Sequence, residues 1–279
     1  MNKIQQDLKH KIEHIFKVKC TEVSKLINLE GSNHVYLFNI KGQNYVIKKL
    51  NDMSIMDWKR EKAAYNSLKS FNITDELVYF DNGIKITKFL EKSKSLSYDE
   101  SDMIDLLDHI RKVHESGISI EYEYDIIDNM NKYIAHCNKE TKELNELANF
   151  RDQIKSIQAM LNKLKVPRVL CHGDACIPNF FRLPDGSIKI LDWEYAGMAD
   201  PLLDIAIATL HQGFENVDPV WCLHQYLKRV PTEQEFLRLN SFLALNSLAL
   251  MVWCIYGDPE NYEYYLNSAV HYSKFVLDI

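Results

Sequence analysis

The chain has no excess of positive charge: 33 lysines and arginines stand against 39 aspartates and glutamates, a net charge of −6 over 279 residues. A nucleic-acid partner needs a basic footprint, so no such partner is expected, although a cationic substrate is compatible with this balance. Its six cysteines, Cys20, Cys137, Cys171, Cys176, Cys222 and Cys254, form no C-x-x-C pair. A chain this long is far from a small disulfide scaffold, so reduced structural thiols in a cytoplasmic protein are expected. No apolar run reaches the ~18–20 residues that cross a bilayer. The nearest, 242–255, is interrupted by Asn246 and Ser247, so no membrane partner is expected. The opening MNKIQQDLKHKIEHIF is amphipathic and lysine-bearing, without the apolar core of a signal peptide. There is no repeat, low-complexity tract or long Pro/Gly linker.

What is present is ordinary for a globular protein: 46% hydrophobic and 26% charged residues, enough to build a sizeable core. The length suits one to two domains, and hence two lobes. Ile4, Leu8, Ile12, Ile15 and Phe16 are spaced as a helix over 4–16. HVYLFNI (34–40) and QNYVIKKL (43–50) read as strands joined at Lys41-Gly42. Ser54, with Asp57 three residues on, predicts the N-cap of a helix running to about Leu68. ELVYF (76–80) and GIKITKF (83–89) read as two further strands. Beyond Glu91, helices are predicted over 99–116, 126–137 and 140–163, then short strands at 168–171, 179–182 and 187–191. The remainder reads as helical, with breaks near Gly213, Pro231 and 257–259. This is an α+β, protein kinase-like two-lobed fold. A small N-terminal β lobe with one main helix (1–90) and a larger, mostly helical C-terminal lobe (91–279) are expected.

The informative stretch is VLCHGDACIPNFFRLPDGSIKILDWEYAGMADPLLDIA, residues 169–206. Phosphoryl transfer needs a carboxylate near the attacking hydroxyl and oxygen ligands for the ions that neutralise the nucleotide phosphates. Asp174 follows a strand and opens a loop, Asn179 begins the next strand, and Asp192 ends the strand after the hairpin. Asn179 and Asp192 flank that hairpin and so can face one metal, while Asp174 faces the acceptor. Asp, Asn and Gly are also common in turns. The competing reading of chance loop polars has to explain the full spacing together with Trp-Glu-Tyr and Asp-Pro-x-x-Asp downstream.

HGDACIPN followed by LDWEYAGMADPLLDIA resembles the signature of the aminoglycoside phosphotransferase/choline kinase superfamily. The form of its second half is most similar to the bacterial choline kinases that supply phosphocholine for surface polysaccharides. The resemblance implies ATP and Mg2+ as cofactors and transfer of phosphate to the hydroxyl of choline, a small cationic amino alcohol, giving phosphocholine and ADP. Ethanolamine, thiamine or an aminoglycoside are the alternative acceptors, and a non-catalytic binding protein on a kinase fold is the further alternative. It implies Asp174 as the catalytic carboxylate, His172 as support for its loop, and Asn179 and Asp192 as magnesium ligands. Glu194 is placed near the metal or the cation, and Asp204 braces the loop.

On the nucleotide side the resemblance implies a short phosphate-contacting turn at Gly31-Ser32-Asn33. Lys48 is the phosphate-pairing lysine, on the β face opposite Tyr45 and Ile47; a shift of one residue would give Lys49 instead. Glu61 is its expected partner. The segment 86–90, with Thr87 and Phe89, is the hinge that reads adenine through its backbone. Quaternary ammonium groups are recognised by aromatic faces and nearby carboxylates, so Trp193, Tyr195, Trp253 and Tyr256 are the candidate cage, with Glu194 beside them. The sequence does not set an oligomeric state.

Overall fold

The computed structural model describes residues 3–19, 27–29, 34–50, 57–136, 142–210, 217–257 and 259–277. The chain divides into two compact units: Met1–Lys94 with Phe181–Leu191, and Ser95–Phe180 with Asp192–Ile279.

In the first unit, helix α1 (Lys3–Phe16) is followed by strands β1 (Ile27–Leu29), β2 (His34–Ile40) and β3 (Gln43–Lys49). The β2–β3 hairpin closes where the sequence suggests, because Lys41 and Gly42 both take positive φ (50° and 86°). That is the turn whose twist matches paired strands. Helix α2 (Trp58–Leu68) starts later than expected. Its N-cap is Asp57, whose carboxylate accepts the Lys59 N–H, whereas Ser54 lies outside the described residues. Strands β4 (Leu77–Asp81) and β5 (Ile84–Lys88) complete an antiparallel sheet in the order β1-β2-β3-β5-β4.

Alternation gives this sheet two different faces. Tyr36, Phe38, Ile40, Ile47 and Ile86 pack with Leu8 and Ile12 of α1 as an apolar core. The opposite face carries Lys48 across from Lys85, with Thr87 one pair further along. Over it lies α2, whose buried stripe Glu61, Ala64, Tyr65 and Leu68 follows the helical repeat and sets Tyr65 and Trp58 against Phe80. The two-residue strand β6 (Lys94–Ser95) stands at the boundary of the units.

The second unit begins with α3 (Glu100–His114), capped by Asp99, which accepts the Asp102 N–H at 2.9 Å. Helix α4 (Ile126–His136) follows. The single helix expected over 140–163 is two, α5 (Lys142–Ala148) and α6 (Arg151–Lys163). The break is a tightened turn in which the N–H groups of Asn149 and Phe150 reach back only three residues. Strand β7 (Val169–Cys171) pairs antiparallel with β10 (Gly197–Ala199), a strand that the sequence reading did not anticipate. Between them the chain runs through β8 (Phe180–Arg182) and β9 (Ile188–Ile190).

Helices α7 (Leu202–Leu210), α8 (Pro219–Leu227), α9 (Glu233–Gly257) and α10 (Tyr262–Leu277) complete the unit, and the break expected near Gly213 lies outside the described residues. Helix α9 alone among the described helices is long and apolar enough to cross a membrane, yet 72% of its apolar window is buried in the fold. It packs on α4, α7 and α10, which is the environment of a core helix.

Candidate active site

In the second unit the site is built on the loop that leaves β7. Gly173 turns the chain there with φ at +77°, where an L side chain is strained. A Cβ at this position would run into the carbonyl oxygen of Tyr195 and lie 2.9 Å from Tyr124 Cε2 and Tyr195 Cβ. The loop's N–H groups point inward to a buried acid on α7. Asp204 Oδ2 accepts the His172 N–H at 2.7 Å, and Oδ1 accepts the Gly173 N–H at 2.9 Å. His114 of α3 adds its Nε2 to Oδ2 at 3.1 Å, and its Nδ1 meets the Tyr226 hydroxyl at 2.8 Å. Burial alone would push the Asp204 carboxyl up. The His114 hydrogen bond and charge, with His172, outweigh it and hold the group below its ordinary value. Asp204 therefore braces the loop as a buried anion.

His172 is buried against Trp193, ring centroids 4.6 Å apart, and its Nδ1 accepts the Asp174 N–H at 3.2 Å. This fixes the backbone on which Asp174 stands. The Asp174 side chain is half-buried. The Asn179 amide donates to Asp174 Oδ2 and to its carbonyl oxygen, both at 2.9 Å, through the 3₁₀ turn Ile177–Asn179. Because Nδ2 is spent on Asp174, Asn179 keeps its Oδ1 as an oxygen donor. Cys176 lies in the middle of the group. Its Sγ is 3.6 Å from Asp174 Oδ1 and 3.3 Å from Asn179 Nδ2. Burial, then the Asp174 carboxylate, and more weakly Asp192, push the thiol well above its ordinary range. Asp192 itself adopts a left-handed conformation, φ 63° and ψ 60°, at the end of β9. Asp174 and Asn179 are thus gathered around one thiol, on which Asp192 acts only electrostatically.

A second set of side chains borders Asp174. Tyr195, in the turn Trp193–Tyr195, is hydrogen-bonded hydroxyl to hydroxyl with Tyr133 of α4. Burial, helped by the Glu194 and Asp174 carboxylates and opposed by the Tyr195 bond, pushes the Tyr133 phenol up to about 12. Tyr195 moves the same way, from burial first and then Tyr133, Glu194 and Asp174. Tyr124, buried and hydrogen-bonded to Asn129, is also raised by burial and by Asp174. Neutral phenols beside two carboxylates make a surface suited to an organic cation.

Three members of the expected cage need correction or restriction. Trp193 is 0% exposed: it is core, edge-on to His172, because its turn directs the indole inward while Glu194 and Tyr195 stay half-buried. Trp253, 38% exposed on α9, has no described contact with the loop. The Tyr256 side chain lies outside the described residues. Tyr133, Tyr124 and Cys176 were not singled out from the sequence. Cys176 lies inside the motif and was legible as a neighbour of Asp174, whereas no local signal marks two tyrosines some 40 to 60 residues away.

In the first unit, Gly31, Ser32 and Asn33 lie outside the described residues. Lys48 is buried on the face expected for it. Glu61, however, is not paired as expected. Its Oε1 accepts from Lys85 Nζ on β5, the residue directly across from Lys48, because the β3–β5 register sets two lysines on the face that α2 covers. Thr87 is buried and its side chain bonds Asp75. The Phe89 N–H is spent on the Asn44 carbonyl at 3.1 Å, so a base at this strand end must be read by other backbone groups.

Comparison with known proteins places these residues in context. Residues 102–227 match the profile of the phosphotransferase enzyme family. The chain is 26% identical over 186 residues to Protein LicA of Haemophilus influenzae, covering 63% of this chain and 68% of that one. The choline kinase LicA from Streptococcus pneumoniae has the same fold, with TM-score 0.81 at 21% identity over 100% of both chains. A structure of LicA in complex with AMP gives 0.82 at 21% identity, covering 100% of this chain and 99% of that one.

Proposed function

We propose that this chain, similar to the phosphotransferase enzyme family through the segment that holds Asp174, Asn179 and Asp192, transfers the γ-phosphoryl group of ATP to the hydroxyl of choline. The products are phosphocholine and ADP. The observation that carries this reading is a carboxylate, Asp174, fixed at its backbone by His172 and at its side chain by Asn179, beside the Tyr133–Tyr195–Glu194 surface. The likeness to the choline kinase LicA from Streptococcus pneumoniae and to a LicA in complex with AMP supports the acceptor and the adenine nucleotide.

In the reaction, Asp174 positions the choline hydroxyl and accepts its proton as the oxygen–phosphorus bond forms and the γ-phosphorus–oxygen bond to ADP breaks. No covalent intermediate is needed, and catalysis rests on positioning and electrostatics. Tyr195 and Glu194 border the ammonium group. Asn179 Oδ1 and the Asp192 carboxylate are hard oxygen donors of the kind magnesium takes, so they are the residues that would hold Mg2+. When bound, the ion neutralises charge on the nucleotide phosphates. Lys48 does the same from β3. A cytoplasmic location is part of this reading.

The test is an ATP-consumption assay with choline, ethanolamine, thiamine and an aminoglycoside, run on the wild type and on Asp174→Ala. Choline is expected to turn over. In Asp174→Ala kcat falls about 10²- to 10⁴-fold, while calorimetric binding of MgATP is retained. Turnover of another acceptor but not choline would remove the substrate. Near-normal kcat in Asp174→Ala would remove the mechanism.

A further inference from the structure

We infer that Lys85 is a positioning residue for phosphate binding: it holds the Glu61 carboxylate by one oxygen so that the other receives Lys48 when nucleotide is bound. This rests on the kinase reading above. The argument begins with the face that α2 covers. Lys48, Lys85, Glu61, Tyr65, Asp75 and Thr87 are all buried there. Burying a lysine–glutamate pair contributes little net stability compared with an apolar pair of the same volume. A second lysine at Lys85 is therefore not explained by stability, since its neighbours Phe80 and Tyr65 would accept a methionine or leucine in its place.

The hydrogen bonds assign it a different job. Lys85 Nζ donates to Glu61 Oε1 and to the Tyr65 hydroxyl at 3.3 Å, and it lies 4.8 Å from the centre of the Tyr65 ring. The Tyr65 hydroxyl in turn donates to Asp75 Oδ1 at 2.6 Å, and Thr87 also bonds Asp75. The chain of donors runs one way, from Lys85 through Tyr65 to Asp75. It anchors the ammonium at a second point and so limits the rotational freedom of the carboxylate. The atom left over is Glu61 Oε2, which is buried without a hydrogen-bond partner among the described residues. A buried carboxylate oxygen with no partner is costly and calls for a cation. The β3–β5 register places Lys48 directly across from Lys85, so the ammonium next in line belongs to Lys48. Glu61 on this account serves two lysines, one fixed for structure and one directed to phosphate.

The experiment is a double-mutant cycle on the full chain, reading KM for ATP, KM for the acceptor and the calorimetric Kd of MgADP. Lys85→Met is expected to weaken the nucleotide parameters about 10- to 100-fold, as a small misplacement does, with acceptor KM unchanged. In a Glu61→Gln background the same change has no further effect, and Lys85→Arg restores most of the loss. An equal effect in both backgrounds, or equal loss for nucleotide and acceptor, would overturn the inference and leave Lys85 a structural residue. Should Lys85→Met fail to fold, Tyr65→Phe gives the same reading with only a hydroxyl removed: severalfold weaker MgADP with Glu61 present and no change without it. The MgADP arm needs no acceptor, so a wild type that turned over nothing would sink the kinase reading while this cycle still reported on Lys85.

Discussion

Replacing Asp204 by alanine removes a single side chain that three donors share. The His172 and Gly173 N–H groups, at 2.7 and 2.9 Å, and His114 Nε2 at 3.1 Å all end on its carboxylate. The site is buried, so water does not replace it. Each orphaned backbone donor costs about 1–3 kcal/mol. His114 Nε2, buried as well, loses its acceptor at a similar cost. The three losses overlap and are not summed, so the expected destabilisation is about 3–5 kcal/mol, or roughly 10 °C or more in thermal midpoint for a protein of this size. Asp204→Asn keeps one carbonyl acceptor but turns an amide donor toward an N–H, and should lose about half as much. Because Asp174 stands one residue beyond Gly173, kcat should fall with stability even at temperatures where the variant is folded. The measurements are calorimetric melting of the full chain at fixed buffer and ligand, and kcat well below the midpoint. An Asp204→Ala protein melting within about 2 °C of the wild type would refute the bracing role.

Gly173→Ala should be worse than its size suggests. It combines a positive φ with a Cβ driven into the Tyr195 carbonyl and against the Tyr124 ring, so turnover should drop at least about tenfold with a lowered midpoint; unaltered kinetics would show that the loop relaxes freely. The acid limb of the stability curve is also fixed in sign. Asp204 is held below its ordinary value of 3.8, so its contribution is present above 3.8 and is lost as pH falls through the lower folded value. Asp75, raised by burial against the opposing Lys85, Thr87 and Tyr65 interactions, works the other way. Its contribution stands below 3.8 and is lost as pH rises through its folded value. Melting at descending pH should therefore show the gap between wild type and Asp204→Asn narrowing below 3.8, and Asp75→Asn gaining on the wild type above it. A gap that stays constant with acidification would contradict the assignment of Asp204 as a charged brace.

What the sequence determined by itself is local. The hairpin turn at Lys41-Gly42, the apolar stripe of α1 and the alternation that sets Lys48 opposite Tyr45 all follow from short-range sterics and periodicity, and they stand in the structure. So does the grouping of His172, Asp174 and Asn179, because one tight loop of eight residues holds them. Boundaries were less legible. Asp57 rather than Ser54 caps α2, and a tightened turn divides α5 from α6, since an acid near a helix start and a helical spacing read alike across a break.

Only tertiary structure decided the long-range partners. Trp193 is an exposed cage candidate by residue type and core by packing, because nothing local says which way its turn faces. Glu61 goes to Lys85 rather than Lys48 because strand register places both lysines under α2, and a register is a property of two strands. Tyr133 reaches Tyr195 from a helix 62 residues away. The loop that carries the candidate carboxylate Asp174 was thus readable in one short segment, since covalent connectivity assembles it. The surroundings that tune it were not, because they come from elements whose meeting is fixed by burial and pairing over the whole chain.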